Sequence, residues 1–102
     1  MSDKVNWLTH EFHILTMEDP WNDVGGIYIF AGVSPQNKWV AIYIGLAENF
    51  RNRMANHDRW IEAQRQGATH VHAKVVQSAG ARLLLEKELI AAYQPPLNTH
   101  HR

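Results

Sequence analysis

Residues 26–45 read GIYIFAGVSPQNKWVAIYIG, and this stretch decides the fold. Two runs rich in β-branched and aromatic residues, Ile27 to Val33 and Trp39 to Ile44, flank Ser34-Pro35-Gln36-Asn37-Lys38, a turn-forming composition. The pattern predicts a β-hairpin. Centring its loop on Pro35 and Gln36 sets Tyr28 opposite Tyr43 and Gly26 opposite Gly45, so that the two phenols share one face. Alternation then sends Ile27, Ile29, Ala31 and Val40, Ile42, Ile44 to the other face as a core layer.

Downstream, residues 47–66 contain few breakers and read as helix, interrupted near His57-Asp58 and ended by Gly67. A third strand is expected from His70 to Val76. Ser78 suits the N-cap of a last helix from Ala79 to Tyr93, which Pro95 and Pro96 terminate. Upstream, the hydrophobics Trp7, Leu8, Phe12, Ile14 and Leu15 fit either a short helix or an edge strand, with a turn at Asp19-Pro20. Residues 1–25 are therefore read as an irregular cover over the core. The expected order is β-β-α-(α)-β-α: an α+β sandwich with a small, mainly antiparallel three-stranded sheet flanked by helices.

Composition limits the chemistry. The chain of 102 residues has the length of one domain. It has no cysteine, which excludes disulfides, thiolate metal sites and a thiol nucleophile. No signal-peptide pattern opens the sequence, and no segment approaches the roughly 20 apolar residues of a membrane span. The expectation is a soluble, cytoplasmic protein with no membrane partner. Ten basic and ten acidic side chains cancel, but unevenly. Residues 1–24 hold Lys4 against Asp3, Glu11, Glu18, Asp19 and Asp23, which leaves the remainder net basic, a weak pointer to phosphate.

Helical geometry singles out two further residues. At about 100° per residue, Leu83, Leu89, Ile90 and Tyr93 fall within roughly 60° of Glu86, which places that carboxylate on the apolar face while Glu88 points away. A carboxylate so placed needs a partner, since an isolated buried charge costs several kcal/mol. A structural ion pair, for example with Arg82, fits as well as a metal or catalytic role. On the first helix Arg53 and His57 are one turn apart on one face, suited to gripping a phosphate together, and Arg51 points away. Seven histidines suggest zinc, with His70 and His72 on one side of a strand and His10 and His13 on one side of a helix. No third ligand has a compelling spacing, and His100 and His101 sit in the tail, so that reading is set aside. No glycine-rich loop with a lysine follows any strand, which removes P-loop nucleotide hydrolysis.

These same residues carry a family resemblance. Gly26-Ile27-Tyr28 and Tyr43-Ile44-Gly45 resemble the paired tripeptides of GIY-YIG nucleases. Arg53, eight residues after Gly45, resembles the family's helix arginine, and His57 falls where relatives carry histidine or tyrosine. Leu85-Glu86, Leu89-Ile90, Tyr93, Pro95 and Asn98 are similar to the closing pattern, with the glutamate twelve positions before the asparagine. The resemblance spans residues 26–98, five elements in order. Leu46 departs from it, since many relatives have lysine or a small polar residue there.

The resemblance implies a stand-alone endonuclease that hydrolyses DNA phosphodiesters by in-line attack of water, in repair or recombination. It implies that Glu86 holds one divalent cation, Mg²⁺ or Mn²⁺, and that Arg53 neutralises charge growing on the phosphate. Tyr43, helped by Tyr28 or His57, would position the water and accept its proton. Asn98 would orient the phosphate or fix the chain end. With no residues left over for a separate DNA-binding domain, recognition would rest on DNA shape, a homodimer or a partner protein. Two other readings compete: a catalytically silent module that grips branched or nicked DNA, and a structural or protein-interaction domain.

Overall fold

A computed structural model describes residues 3–101, and residues 99–101 by backbone alone, so the side chains of His100 and His101 lie outside it. The elements run β1 (Lys4–Trp7), β2 (His10–Leu15), β3 (Gly26–Val33), β4 (Trp39–Ala47), α1 (Phe50–Ala55), α2 (Trp60–Arg65), β5 (His70–Val75), α3 (Ala79–Tyr93) and a closing 3-10 turn, Pro96–His101. Among the described residues the sheet has five strands in the order β1-β2-β5-β3-β4, with antiparallel neighbours throughout. This corrects the three-stranded expectation: the N-terminal segment supplies two strands and extends the sheet beyond β5.

The segment read as an irregular cover is thus a hairpin, Lys4 facing His13 and Trp7 facing His10. Its turn at Leu8-Thr9 has none of the Asn-Gly chemistry that favours tight hairpins. Leu8 adopts a φ of 56°, uncommon for a residue with a side chain. A distant group holds the turn, because the Leu8 N–H donates to the Tyr93 hydroxyl at 2.8 Å. On the strands, Trp7 and Phe12 are buried. The Trp7 indole N–H donates to Nδ1 of the buried His72 at 2.9 Å. Because β2 is a strand, His10 and His13 project to opposite sides of it, contrary to the helical expectation.

The central hairpin forms with a different register. The Ser34 N–H donates to the Lys38 carbonyl and the Asn37 N–H to the Ser34 carbonyl, each at 2.8 Å. Asn37 takes a φ of 62°, which closes the three-residue loop 35–37 in the left-handed conformation such loops use. That loop sets Val33 opposite Trp39 and Ala31 opposite Ala41. Between Phe30 and Ala31 the ladder shifts: Phe30 faces Tyr43, so Ile42 is an additional residue, a β-bulge. Tyr28 therefore lies opposite Gly45, and Gly26 opposite Ala47, two positions from the expected pairing.

The bulge decides which side chains share a face. Continued from the loop without it, the ladder would set Tyr43 opposite Ile29, on the side away from Tyr28. With the bulge, Tyr28, Phe30 and Tyr43 face one layer, as expected. Ile42 and Val40 leave the face assigned to them, Ile42 joining the layer of Tyr28 and Val40 turning to solvent. Ala41 and Ile44 pack on the far side with Ile27, Ile29 and Ala31.

Two cores result, one on each side of the sheet. The first joins Tyr28, Phe30 and Val71 to Phe50 and Met54 of α1 and Ala63 of α2. The second joins Trp7, Phe12, Ile27, Ile29 and Ile44 to Leu85 and Leu89 of α3. Burying a side chain the size of Leu89 stabilises by about 1.5–3 kcal/mol. The Ser78 cap and the stop at Gly67 follow expectation, whereas the helix expected from residue 47 starts at Phe50, because Ala47 still belongs to β4 and Asn49 supplies the cap. Asn49 Oδ1 accepts from the Asn52 N–H, and Ser78 Oγ from the Ala81 N–H. Gly67, at φ 106°, follows α2, and Gln94 in the left-handed region ends α3 before Pro95.

Candidate active site

Tyr28 is the hub. Its ring is buried against Phe30 and fills the space above Gly45, its partner across the ladder. A Cβ at Gly45 would collide with the Tyr28 hydroxyl, which gives a packing reason for glycine at the end of the second tripeptide. The hydroxyl meets Nε2 of His57 at 2.6 Å. The Tyr43 ring lies 6.1 Å away centre to centre and is half-buried, more open than its partner. Burial raises the Tyr28 pKa above the ordinary phenol value, Tyr43 adds to the rise, and the Arg53 guanidinium works against it.

His57 occupies the break between α1 and α2, its side chain sealed from solvent and edge-on to Phe30 and Tyr43. It lies beyond the end of α1, so the pair expected on one helix face becomes a helix residue and a turn residue. Burial first, and the Arg53 charge second, pull the His57 pKa down to about 4. The imidazole is neutral at pH 7.

Arg53 emerges from α1 about one-third exposed, with Nη2 4.0 Å from Asp58 Oδ1. With Glu48, Asn49 and Asn52 it lines an open cleft of about 310 Å³. Arg51 points elsewhere, into solvent with a contact to Asp23. Sequence reading missed Glu48, Asn49 and Asn52 as cleft residues. For Asn49 the signal was present, an asparagine one residue ahead of a helix.

Tyr28, Tyr43, His57 and Arg53 thus meet on one side of the sheet. Glu86 belongs to α3, whose buried residues pack on the other side. α3 runs against β4 and β3, and β4 is one of the sheet's two edge strands. Its first half reaches the end of the sheet that carries the cleft. The Arg82 guanidinium, one turn before Glu86, donates to the carbonyls of Val76 and Gln77. It also lies 2.6 Å from where a Cβ on Gly25 would sit, beside the carbonyls of Ala47 and Glu48. Glu86 is half-buried, at the flank of the α3 apolar face and not its middle: Leu85 and Leu89 are buried, whereas Leu83 is 48% exposed. Glu88 points out, 3.3 Å from His10.

Asn98 is fully buried, and its amide bonds to the backbone of Ile44. These bonds tie residue 98 to β4. Leu46 packs with the second core, on the α3 side of β4.

No cluster of three His, Cys, Asp or Glu side chains able to hold an ion occurs among the described residues. Glu86 offers one carboxylate, a hard oxygen ligand. Mg²⁺ and Mn²⁺ suit such a site, because Mg²⁺ keeps several waters and takes as few as one or two protein carboxylates. Zinc, which favours several nitrogen or sulfur ligands, does not fit it.

No family model and no curated protein matches the chain. Solved structures do. The chain is similar to the N-terminal GIY-YIG endonuclease domain of UvrC from Thermotoga maritima bound to its catalytic divalent cation, magnesium. Identity is 28% and the TM-score 0.60, over 74% of this chain and 84% of that one. A point mutant of the same domain, bound to its catalytic divalent cation, is 26% identical with a TM-score of 0.61, over 74% and 83%.

Proposed function

From the GIY-YIG nuclease fold of this chain, we infer a metal-dependent endonuclease that hydrolyses DNA phosphodiester bonds by in-line attack of water. The observation that carries this reading is the convergence of Tyr28, Tyr43, His57 and Arg53 beside an open cleft.

In the proposed reaction, Arg53 reaches from the cleft wall to a non-bridging phosphate oxygen and offsets the charge that grows as water attacks. The half-buried Tyr43 orients the water and, as phenolate, accepts its proton. A phenol with an unperturbed pKa of about 10 is a weak base near neutrality, so the neighbouring positive charge matters. Tyr28, buried and protonated, fixes Tyr43 from behind. Glu86 is the carboxylate that would hold one Mg²⁺ or Mn²⁺, which when bound supplies polarisation of the phosphate and stabilises the departing 3′ oxygen. Asn98 keeps the β4 backbone, and with it Tyr43, in place.

The substrate proposed is DNA recognised by shape, in repair or recombination, with a homodimer or partner protein supplying further contacts. No described helix is long and apolar enough to cross a membrane. A competing reading, a module that grips DNA without cutting it, draws support from the packing of α3, the helix that carries Glu86, on the far side of the sheet. One experiment separates the two: incubation with linear, nicked, flapped and four-way DNA in Mg²⁺, in Mn²⁺ and in EDTA. Cation-dependent cleavage of any of these supports the nuclease. Binding without cleavage in every condition supports the module.

A further inference from the structure

His57 has both ring nitrogens engaged. Nδ1 accepts from the backbone N–H of Arg59 at 3.1 Å, and Nε2 lies 2.6 Å from the Tyr28 oxygen. A neutral imidazole has one N–H and one lone-pair nitrogen. A backbone N–H can only donate, so the lone pair is on Nδ1 and the proton on Nε2. The direction of the second bond follows: Nε2–H donates to the Tyr28 oxygen. The phenol's own proton must then find another acceptor, and the Tyr43 ring packs beside it, 6.1 Å away centre to centre.

Resting on the nuclease reading above, we propose that His57 is a positioning residue, locked by the Arg59 backbone as a one-way donor to Tyr28, which neither takes nor gives a proton during cleavage. The bonds from the Arg59 N–H through His57 to Tyr28 then run in one sense, toward Tyr43. Tyr43 is left as the member of the three that meets the attacking water.

The surroundings favour the same state. A second ring proton would have to sit on Nδ1, head-on to the Arg59 N–H and near the Arg53 guanidinium. The Tyr28 hydroxyl, on the strand side, is neutral in this scheme, and the Tyr43 ring lies 5.9 Å from the imidazole, centre to centre. Asp58 lies 3.9 Å from Nδ1 and alone favours the imidazolium, but it is 86% exposed and its charge is screened.

Nitrogen-15 spectra of the labelled protein, without DNA or cation, test the lock directly. The expected result at pH 7 is a protonated Nε2 and a bare Nδ1 on His57, unchanged until the pH approaches 4. A proton on Nδ1, or an imidazolium at pH 7, overturns the proposal. In cleavage assays His57→Phe should lower kcat about 100-fold through misplacement of Tyr28, with KM for DNA little changed. His57→Gln, whose amide N–H can replace the donor, should recover most of that loss and keep the wild-type pH profile. If glutamine does no better than phenylalanine, or an inflection near neutrality disappears with the imidazole, His57 moves a proton and the proposal fails. Should no DNA be cut at all, the nuclease reading falls, while the spectra still decide the direction of the bond.

Discussion

The side-chain amide of Asn98 pairs with both polar groups of the Ile44 backbone, accepting from its N–H and donating to its carbonyl, each at 2.9 Å. β4 is an edge strand at this point, and the amide does for it what a sixth strand would do. Asn98→Ala leaves a buried donor and acceptor without partners, at about 1–3 kcal/mol each. Urea denaturation should show a loss of at least about 2 kcal/mol. A loss within error would show that water replaces the amide at no cost.

Glu86→Gln preserves shape and removes the charge. Cleavage should vanish, the heat of Mg²⁺ binding in calorimetry should disappear, and the circular dichroism spectrum should stay as in the parent. Undiminished cutting would place the cation elsewhere.

Arg53→Lys keeps a positive charge and gives up the planar fork that suits phosphate oxygens. A fall in kcat of about 100–1000-fold is expected. Arg51→Lys, two positions away on the solvent side, should cut at the parental rate. Equal effects from both would mean that bulk charge, and not placement, is what matters.

Gly45→Ala forces a methyl group against the Tyr28 hydroxyl. Overpacking of this kind costs about 1–3 kcal/mol, and the displaced phenol should lose its bond to His57. Activity should fall with stability, and Nε2 of His57 should report the lost contact. An unchanged His57 signal would contradict the close approach of Tyr28 to Gly45.

Burial holds the pKa values of His57 and His72 at about 4, whereas an unfolded chain protonates histidine near about 6.5. Between those values the unfolded state binds more protons, so stability rises with pH there. The stabilisation is complete above about 6.5 and is lost as the pH falls toward 4, with a slope of up to about 1.4 kcal/mol per pH unit for each histidine. Denaturation midpoints at pH 7 and pH 5 should differ accordingly. Equal midpoints would mean that both rings titrate as in free peptides.

Much of this arrangement was legible in the residues themselves. The tripeptides around Tyr28 and Tyr43, the Ser78 cap, the break at His57 and the choice of Arg53 over Arg51 follow from turn chemistry and helical angle, and each is local. The N-terminal hairpin was hidden because its turn is held by the Tyr93 hydroxyl, a contact across the whole chain that no nearby residue announces. The register failed for a related reason: Asn37 in the left-handed region shortens the loop, and the bulge at Ile42 answers to packing, not composition. Glu86 was misplaced within its helix because Leu83 looked like a core residue and is half in solvent.

The extra residue at Ile42 has a consequence for how this hairpin can vary. The loop and the bulge each contribute an odd step, and the two cancel at Tyr43. An insertion or deletion of a single residue between Gly32 and Ile42 that neither the loop nor the bulge absorbs therefore swaps the sides of the sheet for everything beyond it, and would carry the second phenol away from the first. Tolerated length changes here should come in twos, or in coupled pairs that add a residue at one site and remove it at the other.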